Sequence, residues 1–265
     1  MKITPIFDPK KAGRPMRVAG FMSGSGSNIK KLIELEHSLS LRPEGSAFEV
    51  VFIFSDRSDG KSQGEKIAYE AGIPYHSFDI RKFYQRRGLR RTATTPEGKQ
   101  ARREFDSLAA KLVAAFEVDL IALGGYMSYT TLPRCVNVHP ADLSLLNEDG
   151  TRRFVGDDAV FDAIAAGRTE LRASTIWIDD GVDSGPMLML SDPLPVTLPE
   201  PLDKLRMDLA KLARVAGRHQ EMLKDVGDWD IFPKTIWFIS EGRFGFDEQG
   251  QAYLDGHPIQ SGSWS

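Results

Sequence analysis

Arg17 to Asn28 reads RVAGFMSGSGSN: an apolar run breaks into six residues drawn only from Ser, Gly and Asn. Directly after it, NIKKLIELEHS carries apolar residues at helical spacing. Strand, glycine-rich turn and helix in that order open a βαβ unit, and the pattern recurs along the chain. MRVAGF (Met16–Phe21), FEVVFIF (Phe48–Phe54), DLIALGG (Asp119–Gly125) and RCVNVH (Arg134–His139) are too short for buried helices and read as buried strands. GEKIAYEAG, closed by Gly72, and EFDSLAAKLVAAF supply amphipathic helices between them. This alternation predicts an α/β, Rossmann-like fold: an open, mostly parallel sheet with helices on both faces. After Ala173, STIWI, MLML and PLPV read as further strands. A long helix over about 201–225, another near 234–241, and a tail with turn signals at EQGQ and DGHP follow.

Of 265 residues, 41% are hydrophobic and 27% charged, with a net charge of -3. That is ordinary globular composition, and it lacks the basic excess expected of a chain built to grip nucleic acid. The one cysteine, Cys135, excludes a disulfide framework within the chain and fits a reducing cytoplasm. No apolar run approaches a membrane span, and MKITPIFDPKKAG lacks a signal-peptide core. The expected organisation is an N-terminal extension (1–15), a main domain (16–243) and a C-terminal hairpin or tail (244–265). Nine Lys or Arg between Arg81 and Arg103, with Gly88, Pro96 and Gly98, predict an exposed basic insertion, read as a solvated loop rather than a nucleic-acid arm.

A Gly/Ser turn between the first parallel strand and its helix sits at the carboxyl edge of the sheet, where open α/β folds bind ligands. Backbone N–H groups and the helix dipole there favour an anion, and Gly24 and Gly26 allow close approach. The spacing is neither G-x-G-x-x-G nor a P-loop. A phosphate cradle and a merely tight turn both fit.

Asn137 and His139 lie two apart in VNVHP, so they project from one side of a strand that Pro140 ends. DDGVDSGP (Asp179–Pro186) follows with an acid among glycines. An amide donor, a histidine and an acid to orient and charge it suit attack on a carbonyl. Neither Ser144 nor Cys135 has a partner that would activate it, so the substrate is expected to bring the nucleophile, such as an amine. Scattered histidines give no metal site.

SGSGSN before a helix, GGYM after a central strand, N-V-H-P, and D-S-G-P some forty residues later resemble the glycinamide ribonucleotide transformylase family of folate-dependent formyltransferases. The resemblance covers about 17–190, with a weaker echo near 220–243. It implies formyl transfer from 10-formyltetrahydrofolate, as co-substrate, to the amine of a phosphorylated acceptor, glycinamide ribonucleotide being the simplest. Another phosphorylated amine, such as an amino sugar nucleotide, or a catalytically silent folate or nucleotide binder, are the alternatives. The short extension before Met16 leaves no room for the regulatory domain of the hydrolase relatives. By the same resemblance Asn137, His139 and Asp183 are catalytic. Gly24, Gly26, Ser27, Asn28 and Arg102 hold the acceptor's phosphate, and Glu221, or Asp228 counted back from Pro233, holds its amine. Met127, Ser128, Tyr129 and Thr130, with Asp179 and Asp180, line the folate site, although Met127 suits core packing equally. Small-molecule substrates, no nucleic acid, no membrane, and a monomer or homodimer in the cytoplasm are the expected setting.

Three departures from the family pattern stand out. HPADLSLLNEDGTRRFVGDDAV replaces a shorter loop with paired histidines, Ile176 stands where the family places a histidine, and Ser128 replaces an arginine. The acids of 141–160 and the bases of 81–103 read as two solvated loops or as segments closing over a substrate.

Overall fold

The computed structural model describes residues 2–92 and 95–259. Its backbone contacts divide into two units. The first comprises 7–137 and 240–242, and the second 138–239 with the described parts of both termini.

In the first unit the strands are β1 (Met16–Met22), β2 (Phe48–Ser55), β3 (Tyr75–Ser77), β4 (Leu120–Leu123) and the start of β5 (Cys135–His139). β1 pairs in parallel with β2 and β4, β2 with β3, and β4 with β5. The connections are the helices α1 (Ser27–Ser40), α2 (Gly64–Ala71), α3 (Ile80–Arg86) and α4 (Pro96–Ala115). β1 and β2 are buried almost throughout, as strands covered on both faces must be. Phe21 is fully buried, its ring 4.8 Å from that of Phe54 and 5.6 Å from that of Tyr126.

β5 runs on into the second unit, which adds α5 (Ala159–Ala165), β6 (Ser174–Trp177) and β7 (Met187–Leu190). β6 and β7 pair antiparallel, and the seven-stranded sheet has the order β3-β2-β1-β4-β5-β6-β7. The mostly parallel α/β sheet is thus the one the sequence predicts. α6 (Leu209–Leu223), a π turn at Lys224–Asp228 and α7 (Trp229–Ser240) follow. Thr4–Pro5, Phe244–Phe246, Ala252–Leu254 and His257–Pro258 form a separate antiparallel sheet. N-terminal extension and C-terminal hairpin are therefore one structural element; the last six residues of the tail lie outside the described residues.

Two expectations change. The segment 81–103 is not an exposed loop. Asp79 caps α3 by accepting from the N–H groups of Arg81 and Lys82, and Ile80, Phe83 and Tyr84 bury one helical face. Thr95 caps α4, with Pro96 in its first turn, and Arg102 is buried; residues 93 and 94 lie outside the described residues. The long helix over 201–225 is interrupted: Leu202–Arg206 ends, and Asp208 caps α6 through the Lys211 N–H.

The aromatic cluster around Phe21 gives a direct check on this packing. Phe21→Ala should destabilise the protein by about 3–5 kcal/mol in urea unfolding, the usual cost of truncating a buried phenylalanine. A loss below about 1 kcal/mol would contradict it.

Candidate active site

The glycine-rich turn is fixed by its own backbone. The Ser23 N–H donates to the Gly125 carbonyl at 3.0 Å, and the Ser23 hydroxyl accepts from the Met127 N–H at 3.0 Å. The Gln63 N–H donates to the Gly24 carbonyl at 3.0 Å. Gly26 caps α1 with φ +67°, and a Cβ there would lie 2.5 Å from Met22 Cε and 2.7 Å from Ile67 Cδ1. Gly26 is therefore required by conformation and crowding. A Cβ at Gly24 would meet nothing within 4 Å. No side chain caps the start of α1, so its first-turn N–H groups stay available, and the buried Asn28 Oδ1 has no hydrogen-bond partner among the described residues. The N–H groups suit an anionic ligand, and the amide oxygen suits a hydrogen-bond donor on a ligand.

Arg102 does not join that turn. It is 2% exposed, with Nη2 2.8 Å from Asp106 Oδ1, and it donates from Nη2 to the Tyr126 hydroxyl at 2.9 Å. Asp106 also accepts from the Thr131 N–H at 2.7 Å, and Thr130 is buried beside it. Burial opposes the Arg102 cation, but Tyr126 and Asp106 more than offset it, and the guanidinium is held above its ordinary value. Its open side lines a cavity of about 190 Å³ with Tyr84, Arg91, Met127, Ser128 and Tyr129. Arg102, expected with the phosphate group, thus lines one cavity with Met127, Ser128 and Tyr129, the residues expected on the folate side. Ser128 donates to the buried carboxylate of Asp56, and Met127 is 61% exposed, which removes core packing as its role.

In the second unit, β5 ends at His139, which is 5% exposed. Its Nδ1 lies 3.5 Å from Asp183 Oδ2, and its Nε2 lies 3.3 Å from the Phe154 carbonyl oxygen. Asp183 sits in the β6–β7 loop at φ +50°, and its Oδ2 also accepts from the Gly156 N–H at 3.0 Å. Burial lowers the His139 pKa; Asp183, the Phe154 carbonyl and Asp157 push it back up, while Arg152 lowers it further. The net direction is down, which favours the neutral ring. Asp183, expected to keep His139 charged, offsets only part of the desolvation that favours the neutral ring. Asn137, two residues earlier on β5, is partly exposed. Asp179 accepts from the Gly181 N–H at 2.9 Å and from the Ser184 hydroxyl at 2.7 Å, holding the loop's tip, and Asp180 is exposed.

A histidine and an acid at the end of a parallel strand, after a glycine-rich first turn, meet in a family model described as formyl transferase, which matches residues 16–214. The chain belongs to the formyl transferase family. It is 26% identical over 252 residues to the trifunctional purine biosynthetic protein adenosine-3 of Bos taurus, covering 92% of this chain and 20% of that protein. The chain thus spans about a fifth of that relative's length. To the phosphoribosylglycinamide formyltransferase of Haemophilus influenzae it is 24% identical over 256 residues, 94% of this chain and 98% of that one. Among solved structures, the phosphoribosylglycinamide formyltransferase of Coxiella burnetii superposes with a TM-score of 0.64 at 24% identity, covering 94% of this chain and 97% of that chain. A formyltetrahydrofolate deformylase of Pseudomonas syringae gives 0.60 at 16% identity, covering 92% and 67%. Both structures share the fold.

In this formyl transferase family chain the two late acids differ in their surroundings. Glu221 projects into solvent, its side chain 73% exposed and paired with Lys224 at 2.6 Å, so it is not part of a buried site. Asp228 is 6% exposed within the π turn, where Gly227 packs against Ala173. Reasoning from sequence missed Arg152, the Phe154 carbonyl and the Gly156 N–H. Two of these are backbone groups with no side-chain signature, and the third lay in a loop noted only for its length.

His139 should titrate below the ordinary histidine value of about 6.5 in an NMR titration of its ring protons. In Asp183→Asn it should titrate lower still, because the carboxylate is its main support. Since the unfolded ring takes up a proton near pH 6.5 and the folded one does not, this group costs stability as pH falls through that value. A ring titrating above 6.5 would contradict the geometry.

Proposed function

We propose that this chain transfers the formyl group of 10-formyltetrahydrofolate to the amine of glycinamide ribonucleotide. The observation that carries this reading is the buried His139–Asp183 pair at the end of β5, two residues after Asn137, in a chain of the formyl transferase family. The names of the relatives, phosphoribosylglycinamide formyltransferases among them, supply the acceptor.

The reaction forms a bond between the acceptor nitrogen and the formyl carbon, breaks the bond from that carbon to N10 of the donor, and moves one proton from the attacking amine to N10. The Asn137 amide donates to the formyl oxygen as negative charge develops on it. A neutral His139 accepts the amine's proton, directly or through water, and returns it to the leaving nitrogen. Asp183 stabilises the imidazolium in transit, and the Phe154 carbonyl holds the ring's plane. No serine or cysteine nucleophile takes part.

The residues present suit both substrates. An aromatic and cationic cavity lined by Tyr84, Tyr129, Arg91 and Arg102 matches an arylamide bearing glutamate carboxylates, as the donor does. The uncapped start of α1 behind Gly24 matches the acceptor's phosphate. Asp228 is the acid we assign to the acceptor's amine. The substrates are small molecules, and among the described residues no helix is long and apolar enough to cross a membrane. We place the reaction in the cytoplasm, with the chain as monomer or homodimer.

Purified protein supplied with 10-formyltetrahydrofolate and a panel of phosphorylated amines should release tetrahydrofolate fastest with glycinamide ribonucleotide, at a kcat/KM of about 10⁴ M⁻¹s⁻¹ or more. Faster turnover of an amino sugar nucleotide would replace the acceptor and keep the chemistry. Donor binding without turnover of any amine would reject the enzyme. Gly24→Asp sets a negative charge in open space at the phosphate end, so the acceptor KM should rise about tenfold or more while donor affinity and Tm hold. An unchanged acceptor KM would place the phosphate elsewhere.

A further inference from the structure

Asp183 lies in an exposed loop joining β6 to β7, and a loop of that kind gives a carboxylate many positions to adopt. Its backbone is in the left-handed region, φ +50°, which favours glycine or asparagine over aspartate. Asp179 ties together only the tip, through Gly181 and Ser184. Gly185 anchors the far end, where an added Cβ would lie 1.8 Å from the Trp177 carbonyl oxygen. Between tip and anchor, the backbone carbonyls of Asp183 and Gly185 both face one guanidinium. Arg152 donates from Nη1 to the Asp183 carbonyl, and from Nη2 to the Gly185 carbonyl at 2.7 Å.

Arg152 is itself held in place. Leu146 and Arg152 form an antiparallel bridge, and the Arg153 N–H donates to the Leu145 carbonyl at 3.0 Å. Asp149 closes the turn between them through the Thr151 N–H at 2.9 Å and the Thr151 hydroxyl at 2.6 Å. The same short segment carries the Phe154 carbonyl against His139 Nε2 and the Gly156 N–H on the Asp183 carboxylate. One stretch, Arg152 to Gly156, therefore touches the acid's backbone, the acid's carboxylate and the histidine's second nitrogen.

We propose that Arg152 is a positioning residue for the formyl transfer: its planar fork spans two carbonyls of the acid's loop and so keeps the Asp183 carboxylate on His139. This inference rests on the proposed function for its catalytic meaning. A guanidinium suits the task because its donors have fixed directions and can serve two acceptors at once, whereas an ammonium is a point donor on a flexible stem. Among the described residues both of its hydrogen-bond acceptors are backbone carbonyls, so its charge acts on the electrostatics of the His139–Asp183 pair. The charged groups acting on His139 are Asp183 and Asp157, which favour the imidazolium, and Arg152, which opposes it.

Arg152→Gln and Arg152→Lys separate the clamp from the charge. With the fold intact by circular dichroism, Arg152→Gln should lower kcat on the order of a hundredfold, the scale of a misplacement of about 1 Å, and leave both KM values within about threefold. The His139 ring in the same variant should titrate lower than in the parent protein, because displacement of the Asp183 carboxylate, its main support, outweighs the lost positive charge. Arg152→Lys should lose kcat and lower the His139 titration as well, because the charge is retained and the two-carbonyl fork that holds the carboxylate is not. If the glutamine variant does not fold, the lysine variant carries the test through the same two readouts. A kcat within about threefold in the folded variants would overturn the positioning role, as would an unmoved or raised His139 titration in Arg152→Lys. Absence of formyl transfer in the parent protein would instead reject the proposed function; the NMR titration would then still report whether Arg152 acts on the pair.

Discussion

A buried imidazole with an oxygen acceptor facing each nitrogen constrains everything around it. A neutral ring has one N–H to offer, and His139 faces a carboxylate on one side and the Phe154 carbonyl on the other. Holding both protons would satisfy both acceptors, but burial makes the imidazolium costly. The ring is thereby poised between two states: it can take a proton at little further cost in hydrogen bonds, and it gives that proton up readily. That balance needs the acid and the carbonyl to stay in register. The β6–β7 loop and the segment Arg152–Gly156 provide this by hydrogen-bonding to each other.

The first unit presents different physical groups. Its glycine-rich turn offers backbone N–H groups, uncapped helix geometry and one orphaned buried amide oxygen on Asn28, all neutral groups arranged around missing side chains. The cavity beside Met127–Tyr129 instead uses full charges, one of them buried on Arg102 and neutralised by Asp106. A buried guanidinium of this kind is costly to leave unpaired, which explains why Asp106 also accepts from the Thr131 N–H and hydroxyl: its geometry is fixed from several sides. Where the family places an arginine, Ser128 donates to the buried carboxylate of Asp56, exchanging a long cation for a short neutral bond. Two bases of this region are paired with acids as well: Arg81 with Asp79 and Asp59, and Arg87, just past the end of α3, with Glu104.

The parallel sheet was legible in the sequence because strands buried on both faces write continuous apolar runs, as Met16–Met22 and Phe48–Ser55 do. Asn137 and His139 were legible through their two-residue spacing, and Asp183 through its glycine-rich surroundings. Composition misled over 81–103, where the run of bases hid the cap at Asp79 and the apolar spacing of Ile80, Phe83 and Tyr84. Both signals stood in the sequence and were outweighed. Tyr75–Ser77 is too short to carry a period and is a strand only because β2 offers it an edge. The protonation state of His139 could not be read at all, since it depends on how far burial exceeds the pull of Asp183. Nor could the grouping of Arg102 with Tyr126 and Tyr129, a matter of which way one helical face turns.

The central claim is that a formyl carbon passes between two nitrogens with His139 carrying the proton. The most direct measurement is a single-turnover reaction with donor carrying ¹³C at the formyl carbon, followed by NMR, with glycinamide ribonucleotide as acceptor and enzyme in excess. The label is predicted to appear as a formamide on the acceptor nitrogen at stoichiometric yield in the parent protein, and to remain on the folate in His139→Ala. Label released as free formate, or transferred at the parent rate by His139→Ala, would contradict the account.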